Sequence, residues 1–283
     1  MDLLFDTPSE PADGEALEAA LKATGNVVLS SNKAVITDRA YSVDQWIEPM
    51  PHFAQAAAAV GAAGVTFDPD GVLRRTSLFI GARPTLAAAA AELHGGYQRS
   101  QDSDEPVLIH FAGPSRRGIV TVSYYQALDA AELLPRDIFR DKVVFVGRSL
   151  SSASAVAVLS DYFMTPLATM AGVEVHANVF DTLLRNRAIR DPFGTRHRFA
   201  VFCLSFAVLG AALLYPAGAM TGLIAMIGGA AGLVATSYVS LARFQTHVPA
   251  VVPTLALAAV YTVTIGYRFA LGQRERRFIK RAS

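Results

Sequence analysis

FAVFCLSFAVLGAALLY (Phe199–Tyr215), MTGLIAMIGGAAGLVATSYVSLA (Met220–Ala242) and VPAVVPTLALAAVYTVTIGY (Val248–Tyr267) follow one another without one charged side chain inside them. A helix rises about 1.5 Å per residue and the hydrocarbon core of a bilayer is about 30 Å thick, so the second and third runs span it comfortably and the first just does. The links, Pro216–Ala219 and Arg243–His247, are too short to join anything but antiparallel neighbours. A soluble alternative would need a core closed around three successive helices that are apolar on every side. The runs therefore read as transmembrane helices over 199–215, 220–242 and 248–267, with the lipid bilayer as their partner.

Charge divides at the same place. From Phe199 onward the chain carries seven basic residues against Glu275 alone, which leaves 18 basic and 23 acidic groups in residues 1–198. A net-negative soluble part has no general electrostatic pull toward nucleic acid, and no basic stripe interleaved with aromatics appears in it. The single cysteine, Cys203, lies inside the first apolar run, which excludes an intrachain disulfide and a cysteine metal cluster. Residues 1–15 lack the basic n-region and apolar h-region of a secretory signal.

Three spans place the soluble part and the tail, residues 268–283, on opposite sides of the membrane. The charges at the two ends nearly tie: Arg185, Arg187, Arg190, Arg196 and Arg198 stand before the first span, and Arg268, Arg274, Arg276, Arg277, Lys280 and Arg281 follow the last. The positive-inside rule favours a cytoplasmic tail by that small margin. Gly218-x-x-x-Gly222 and Gly228-x-x-x-Gly232 in the second span allow close backbone approach, either in a homodimer or among the helices of one chain. Pro249 and Pro253 fall in the first turns of the third span, where proline is tolerated.

In the soluble part, short β-branched runs alternate with helical patterns. Leu3–Phe5, Asn26–Leu29, Gly64–Phe67, Ser77–Ile80, Val107–Phe111, Ile119–Val122 and Lys142–Val146 read as strands. Gly14–Ala23, Pro51–Val60, Thr85–Leu93 and Val173–Arg185 read as helices, and the polar stretch Gly95–Pro106 as a loop. The alternation predicts an α/β domain, a sheet covered by helices.

Four local groups invite a chemical test. Asp68-Pro69-Asp70-Gly71 resembles half of a calcium loop, but no glutamate closes it, so it reads as a turn with Gly71 at positive φ. Arg74 and Arg75 follow on opposite faces of the next strand, available to an anion or to solvent. Gly147-Arg148-Ser149-Leu150-Ser151-Ser152 is a small-residue turn after a strand, where ligands of open α/β sheets gather, yet it carries no nucleotide fingerprint. His110, His176 and Asp161 with a serine would make a hydrolase triad only on paper, because no Gly-x-Ser-x-Gly elbow is present. No catalytic residue, metal site or cofactor is expected.

The most specific stretch is Asp161-Tyr-Phe-Met-Thr165-Pro166, then Gly172-Val-Glu-Val-His176-Ala-Asn178, then Leu183-Leu-Arg-Asn-Arg187. Together with Phe67-Asp-Pro-Asp-Gly-Val-Leu-Arg-Arg75 and Asp141-Lys-Val-Val-Phe-Val-Gly147 it resembles the CHASE2 sensory domain, a family similar also in being followed by three transmembrane helices. The resemblance covers essentially the whole chain. It implies an extracytoplasmic sensory domain over residues 1–198, in the inner membrane of a bacterium, with the C-terminus cytoplasmic. The basic connector 268–283 would lead to an output domain in cis such as a class III adenylate cyclase or a protein kinase.

Family members usually begin with a cytoplasmic tail and a transmembrane helix, followed by an exported segment before the region matching Leu3–Asp6, so the resemblance also implies that the N-terminal part of the domain is missing here. The ligand it implies is unknown. The residues that stand in or beside the matching motifs are Arg148, Asp161, Thr165, His176 and Asn178, candidates for ligand binding or signal coupling. His176 and Asn178 lie two apart on a helix and point in different directions, so at most one should reach a pocket. A different class, a self-contained membrane-anchored binding protein or hydrolase, is the alternative reading.

Overall fold

The computed structural model describes residues 1–37, 42–98, 106–149 and 161–282, in two units, Met1–Ala188 and Ile189–Ser283. The Gly95–Pro106 loop and the serine turn after Arg148 fall largely outside the described residues.

The first unit mixes helices with small sheets, as the sequence predicts. In chain order it contains α1 (Pro11–Thr24), β1 (Val28–Thr37), β2 (Ser42–Ile47), α2 (Pro51–Ala56), β3 (Ala59–Ala62), β4 (Arg75–Thr76), β5 (Phe79–Ile80), β6 (Arg83–Pro84) and α3 (Leu86–Leu93). It continues with β7 (Val107–Leu108), α4 (Tyr124–Leu128), α5 (Ala130–Leu133), β8 (Tyr162–Thr165), β9 (Ala168–Ala171) and α6 (Gly172–Leu184). The main sheet has the order β2-β1-β3. β1 runs parallel to β3 from Val28↔Ala59 to Ser31↔Ala62, and antiparallel to β2 from Asn32↔Ile47 to Thr37↔Ser42. The pairs β4/β7, β5/β6 and β8/β9 are all antiparallel.

Helix α3, LAAAAAEL, shows why composition places it inside. Thr85 caps it, its hydroxyl accepting from the Ala88 N–H, and Ala87, Ala88, Ala89 and Ala91 are buried. Alanine lets backbones close up: a Cβ on Gly61 of β3 would lie 2.7 Å from Leu86 Cα. Against this layer packs the apolar face of α6, with Val175, Val179, Phe180 and Leu183 in one cluster with Leu73, Leu78, Phe79, Ile109 and Met170.

The other face of α6 is polar and still buried. Glu174, Asn178 and Thr182, spaced i, i+4 and i+8, form a stripe along it. The main-chain N–H groups of Arg116, Ala112 and His110 donate to Glu174 Oε1, Asn178 Oδ1 (2.9 Å) and Thr182 Oγ1 (3.1 Å) respectively. Ser115 adds its hydroxyl to Glu174 Oε2 at 2.7 Å. A stretch outside any sheet ladder that would otherwise leave these amides unpaired is thus bonded to side chains. Beyond β7 it pairs with a helix, so the predicted strand Val107–Phe111 is cut to Val107–Leu108.

Other strand expectations fail for similar reasons. Leu3–Phe5 runs beside β1 but forms no ladder: the Leu3 carbonyl accepts from Ser30 Oγ (2.8 Å), the Phe5 carbonyl from the Met50 N–H (2.7 Å), and Asp2 makes a single parallel bridge to Gly147. Among the described residues Lys142–Val146 forms no ladder; it meets that same bridge, the Asp2 N–H donating to the Val146 carbonyl. Gly64–Phe67 and Ile119–Val122 are not strands, and Val120 is 83% exposed. Ser77–Ile80 shortens to β5. The predicted helix Pro51–Val60 stops at Ala56, because Ala59 and Val60 are taken into the parallel pairing with Val28 and Leu29. β2, α4, α5 and the β8/β9 hairpin are elements the patterning did not announce.

Arg74 and Arg75 do not point to opposite sides. Arg74 is bidentate on Asp70 (2.9 and 2.8 Å) and reaches Asp68, while Arg75 Nε lies 2.9 Å from Asp68 Oδ1. The hydrogen bonds from Arg74 and from the Val72 amide hold the Asp70 carboxyl below its ordinary range. The Asp68–Gly71 stretch is a turn, with the Gly71 N–H on the Asp68 carbonyl and Gly71 at φ +76°, a conformation that a side chain disfavours. Its anionic and cationic groups satisfy one another.

The second unit holds α7 (Arg196–Leu214), α8 (Ala219–Phe244) and α9 (Val251–Ala282). All three are long and apolar enough to cross a membrane. The hydroxyls of Ser205, Thr236, Thr262 and Thr264 each donate to the carbonyl four residues back, which removes their need for water. Close approach uses Gly210, Gly222 and Gly229, whose added Cβ atoms would meet Leu257, Tyr261 and Leu257 at 2.7, 3.2 and 3.2 Å. Gly222 therefore serves packing within the chain, while Gly228 and Gly232 face open space. Pro253 sits in the first turn of α9 and is buried; Pro249 precedes the helix.

Asn178→Leu should strand the Ala112 amide and lower the unfolding free energy of the soluble unit by about 1–3 kcal/mol, the desolvation penalty of an unpaired buried polar group. Chemical denaturation of the full chain in detergent, followed through Trp46 fluorescence, checks this. An unchanged midpoint would show that the stripe contributes no net stability.

Candidate functional site

Helix α6 begins at Gly172, and its first turn is where the sequence candidates converge. The β8/β9 hairpin pairs Tyr162 with Ala171, so Asp161 is carried to the turn from which α6 starts. The Gly172 N–H donates to the Asp161 carbonyl at 3.0 Å. A Cβ at residue 172 would lie 2.3 Å from Asp161 Oδ1, so only glycine leaves the carboxyl its place over the helix start. Gly147 has a similar role on the other flank: its added Cβ would strike Val173 Cβ at 2.7 Å and Asp2 Cβ at 3.0 Å.

Two carboxyls, a buried imidazole and an arginine thus surround the α6 N-terminus. Burial pushes the Asp161 carboxyl up to about 6, helped by the neighbouring Asp2 charge and opposed by His176 and Arg148. Asp2 is likewise pushed up to about 6 by burial, against the pull of the adjacent ammonium group, and its Oδ2 has no hydrogen-bond partner among the described residues. His176 is buried, its ring bonded to the Ala63 main chain, and burial drives it down to about 4 despite that bond and the Asp161 charge. It is neutral at physiological pH. Arg148 is exposed and is the part of the group open to solvent.

The five candidates separate into two sets. Asp161, His176 and Arg148 interact electrostatically. Thr165 does not join them: it is buried in the hairpin turn, its hydroxyl donating to the Ala168 carbonyl (2.6 Å) and accepting from Leu167 (3.3 Å), which ties Ala168 at φ 133°. Asn178 belongs to the polar stripe, its amide NH2 donating to the Glu174 carbonyl at 2.8 Å. The expected divergence of His176 and Asn178 holds, with His176 turned to Ala63 and Asn178 to Ala112.

His110 stands apart from this group. Its main-chain N–H donates to the Thr182 hydroxyl, six residues along α6 from His176. No group of three or more metal-ligating side chains occurs among the described residues. The residues sequence reasoning missed are Asp2, Gly172 as the glycine beneath Asp161, Glu174 and Thr182. The i, i+4, i+8 spacing of Glu174, Asn178 and Thr182 was the available signal for the last two.

Chemically, the cluster can take up and release protons and can present Arg148 to an anion, and among the described residues it carries no nucleophile with an activating base. Comparison with curated proteins returned no match, nor did comparison with solved structures. The CHASE2 domain family, a family of sensory domains, matches residues 1–215, which take in the whole soluble unit and the first apolar helix. The chain belongs to the CHASE2 domain family.

Proposed function

We propose that this chain is the sensory input module of a bacterial transmembrane receptor, with residues 1–198 outside the cytoplasm, three spans in the inner membrane, and a C-terminus that reaches a cytoplasmic output such as a class III adenylate cyclase or a protein kinase. The observation that carries the reading is the continuity of a sensory domain with an unbroken exit helix. α9 runs for 32 residues, about 48 Å at 1.5 Å per residue, against a hydrocarbon core of about 30 Å. Its last turns, RERRFIKRA, therefore project into water as a basic helical stalk continuous with the third span. A rigid stalk transmits rotation or translation to whatever follows it.

The entering link supports the same reading. Arg190 is bridged to Thr246, its N–H donating to the Gln245 carbonyl (2.7 Å) and its own carbonyl accepting from the His247 N–H (2.8 Å). His247 Nδ1 lies 3.5 Å from Asp191 Oδ1. The chain leaving the soluble domain is thereby fastened to the loop that starts α9, so displacement of the link would reach the exit helix as well as the first span. The Asp161, His176 and Arg148 cluster is the proposed place of input, with Thr165 and Asn178 holding the hairpin and helix that carry it. A homodimer, through faces such as the one that leaves Gly228 and Gly232 open, completes the proposed receptor.

A fluorescent protein fused after Ser283 should fold and fluoresce, and alkaline phosphatase at the same point should be inactive. The reverse pattern would invert the topology and remove the receptor reading.

Asp161→Asn tests the input cluster. In the folded state the Asp161 carboxyl keeps its proton up to about pH 6, whereas its ordinary value is 3.8, so its contribution to stability is present at low pH and lost as pH rises through 6. His176 acts oppositely, losing stability as pH falls from 6.5 toward 4. With asparagine at 161 the Asp161 contribution is removed, while those of His176 and Asp2 remain in both chains and cancel in the difference. The melting temperature of the variant relative to the native chain should be highest above pH 7 and decline as pH falls to 4; a pH-independent difference would contradict a perturbed Asp161.

A further inference from the structure

Arg190, Arg196, Arg198 and Arg243 come together at one end of the three-helix unit. Arg196 and Arg198 lie in the first turn of α7, Arg243 lies in the last turn of the antiparallel α8, and Arg190 is bridged to the loop that follows α8. All four are exposed, and none makes an ion pair among the described residues. The acidic group nearby, Asp191, faces His247. The α7 start holds no acidic side chain in its first turn and Thr195 supplies no side-chain cap, so its unpaired N–H groups and positive dipole end add to the arginine charge. Left alone, such an arrangement is self-repelling.

Depth identifies what relieves it. Phe199 opens the apolar run directly after Arg198, and Phe244, next to Arg243, is 70% exposed. The helices therefore hold the guanidinium groups where hydrocarbon meets headgroup, with apolar surface on one side and water on the other. A guanidinium fork matches a phosphate oxygen pair, and the apolar surface beneath it matches acyl chains. We propose that this ring of arginines binds the phosphate groups of anionic phospholipids in the leaflet on its own side of the membrane. The inference does not depend on which side that is. It also gives a reason for an arginine-rich flank at the end opposite the basic tail, where the two ends would otherwise compete for the cytoplasm.

The test uses the full chain in detergent, equilibrated with equal amounts of phosphatidylglycerol and phosphatidylcholine of the same acyl composition, with retained lipid measured by mass spectrometry. The native chain should retain the anionic lipid preferentially. Arg190→Gln/Arg196→Gln/Arg198→Gln/Arg243→Gln should lose that preference, by about fivefold for each arginine removed. Arg274→Gln/Arg276→Gln/Arg277→Gln/Arg281→Gln, at the other end, should leave most of it in place. Should the first variant not fold, Arg198→Gln alone carries the test, with an expected fall of about fivefold. The proposal fails if the preference survives in the ring variant, if it disappears in the tail variant, or if equimolar inorganic phosphate displaces the lipid, which would mark a site for free phosphate.

Discussion

The soluble unit depends on one helix that is buried on both its apolar and its polar sides. Val175, Val179, Phe180 and Leu183 of α6 enter the main cluster with Leu73, Ile109 and Met170, which a surface helix would also do. Unusually, Glu174, Asn178 and Thr182 are buried as well, at 7%, 1% and 1% exposure. Burying three polar side chains is tolerable because each accepts a main-chain N–H from the stretch between His110 and Arg116. Those amides in turn have found partners without a neighbouring strand. The helix thus does for that stretch what a sheet would do.

The start of the same helix is where the fold accepts poorly solvated ionisable groups. Glycine at 172 leaves room for the Asp161 carboxyl, and the β8/β9 register delivers it there. Burial works on the carboxyl and on His176 in opposite directions, each away from its charged form. Groups in that state respond to small changes of environment, a property useful in a sensory domain. Arg148, which interacts electrostatically with Asp161, is exposed.

In the membrane unit, polarity is handled locally and charge is pushed to the ends. Hydroxyls bond back to their own helices, Tyr261 donates to the Ala219 carbonyl at 3.0 Å, and the Arg268 guanidinium donates to the Ala217 carbonyl, closing the first interhelix turn. Leu257 fits against Gly210 and Gly229, so α9 packs closely on both earlier helices. The helix most tightly held in the bundle is thus also the one that continues into the basic stalk.

Much of this was legible in the chain itself. The three spans follow from the length and purity of the apolar runs, because a bilayer demands both and no tertiary contact is needed to satisfy it. Helices α1, α3 and α6 follow from periodicity and composition, and the turn at Gly71 follows from its residue types. Strand pairing was not legible: Leu3–Phe5 and Lys142–Val146 have the composition of strands, but whether they form ladders depends on partners such as Ser30 and Met50 that lie far along the chain. The candidate cluster divided for the same reason. Asp161, Thr165, His176 and Asn178 stand within eighteen residues, and the sequence by itself determined that His176 and Asn178 share one helix, while the hairpin beside Asp161 that holds Thr165 emerged only in the structure. Only the tertiary structure decided that Thr165 and Asn178 spend their polar atoms on the fold while Asp161 meets Arg148 and His176, because a hydrogen bond is made by whichever group arrives within about 3 Å, and chain distance does not set that.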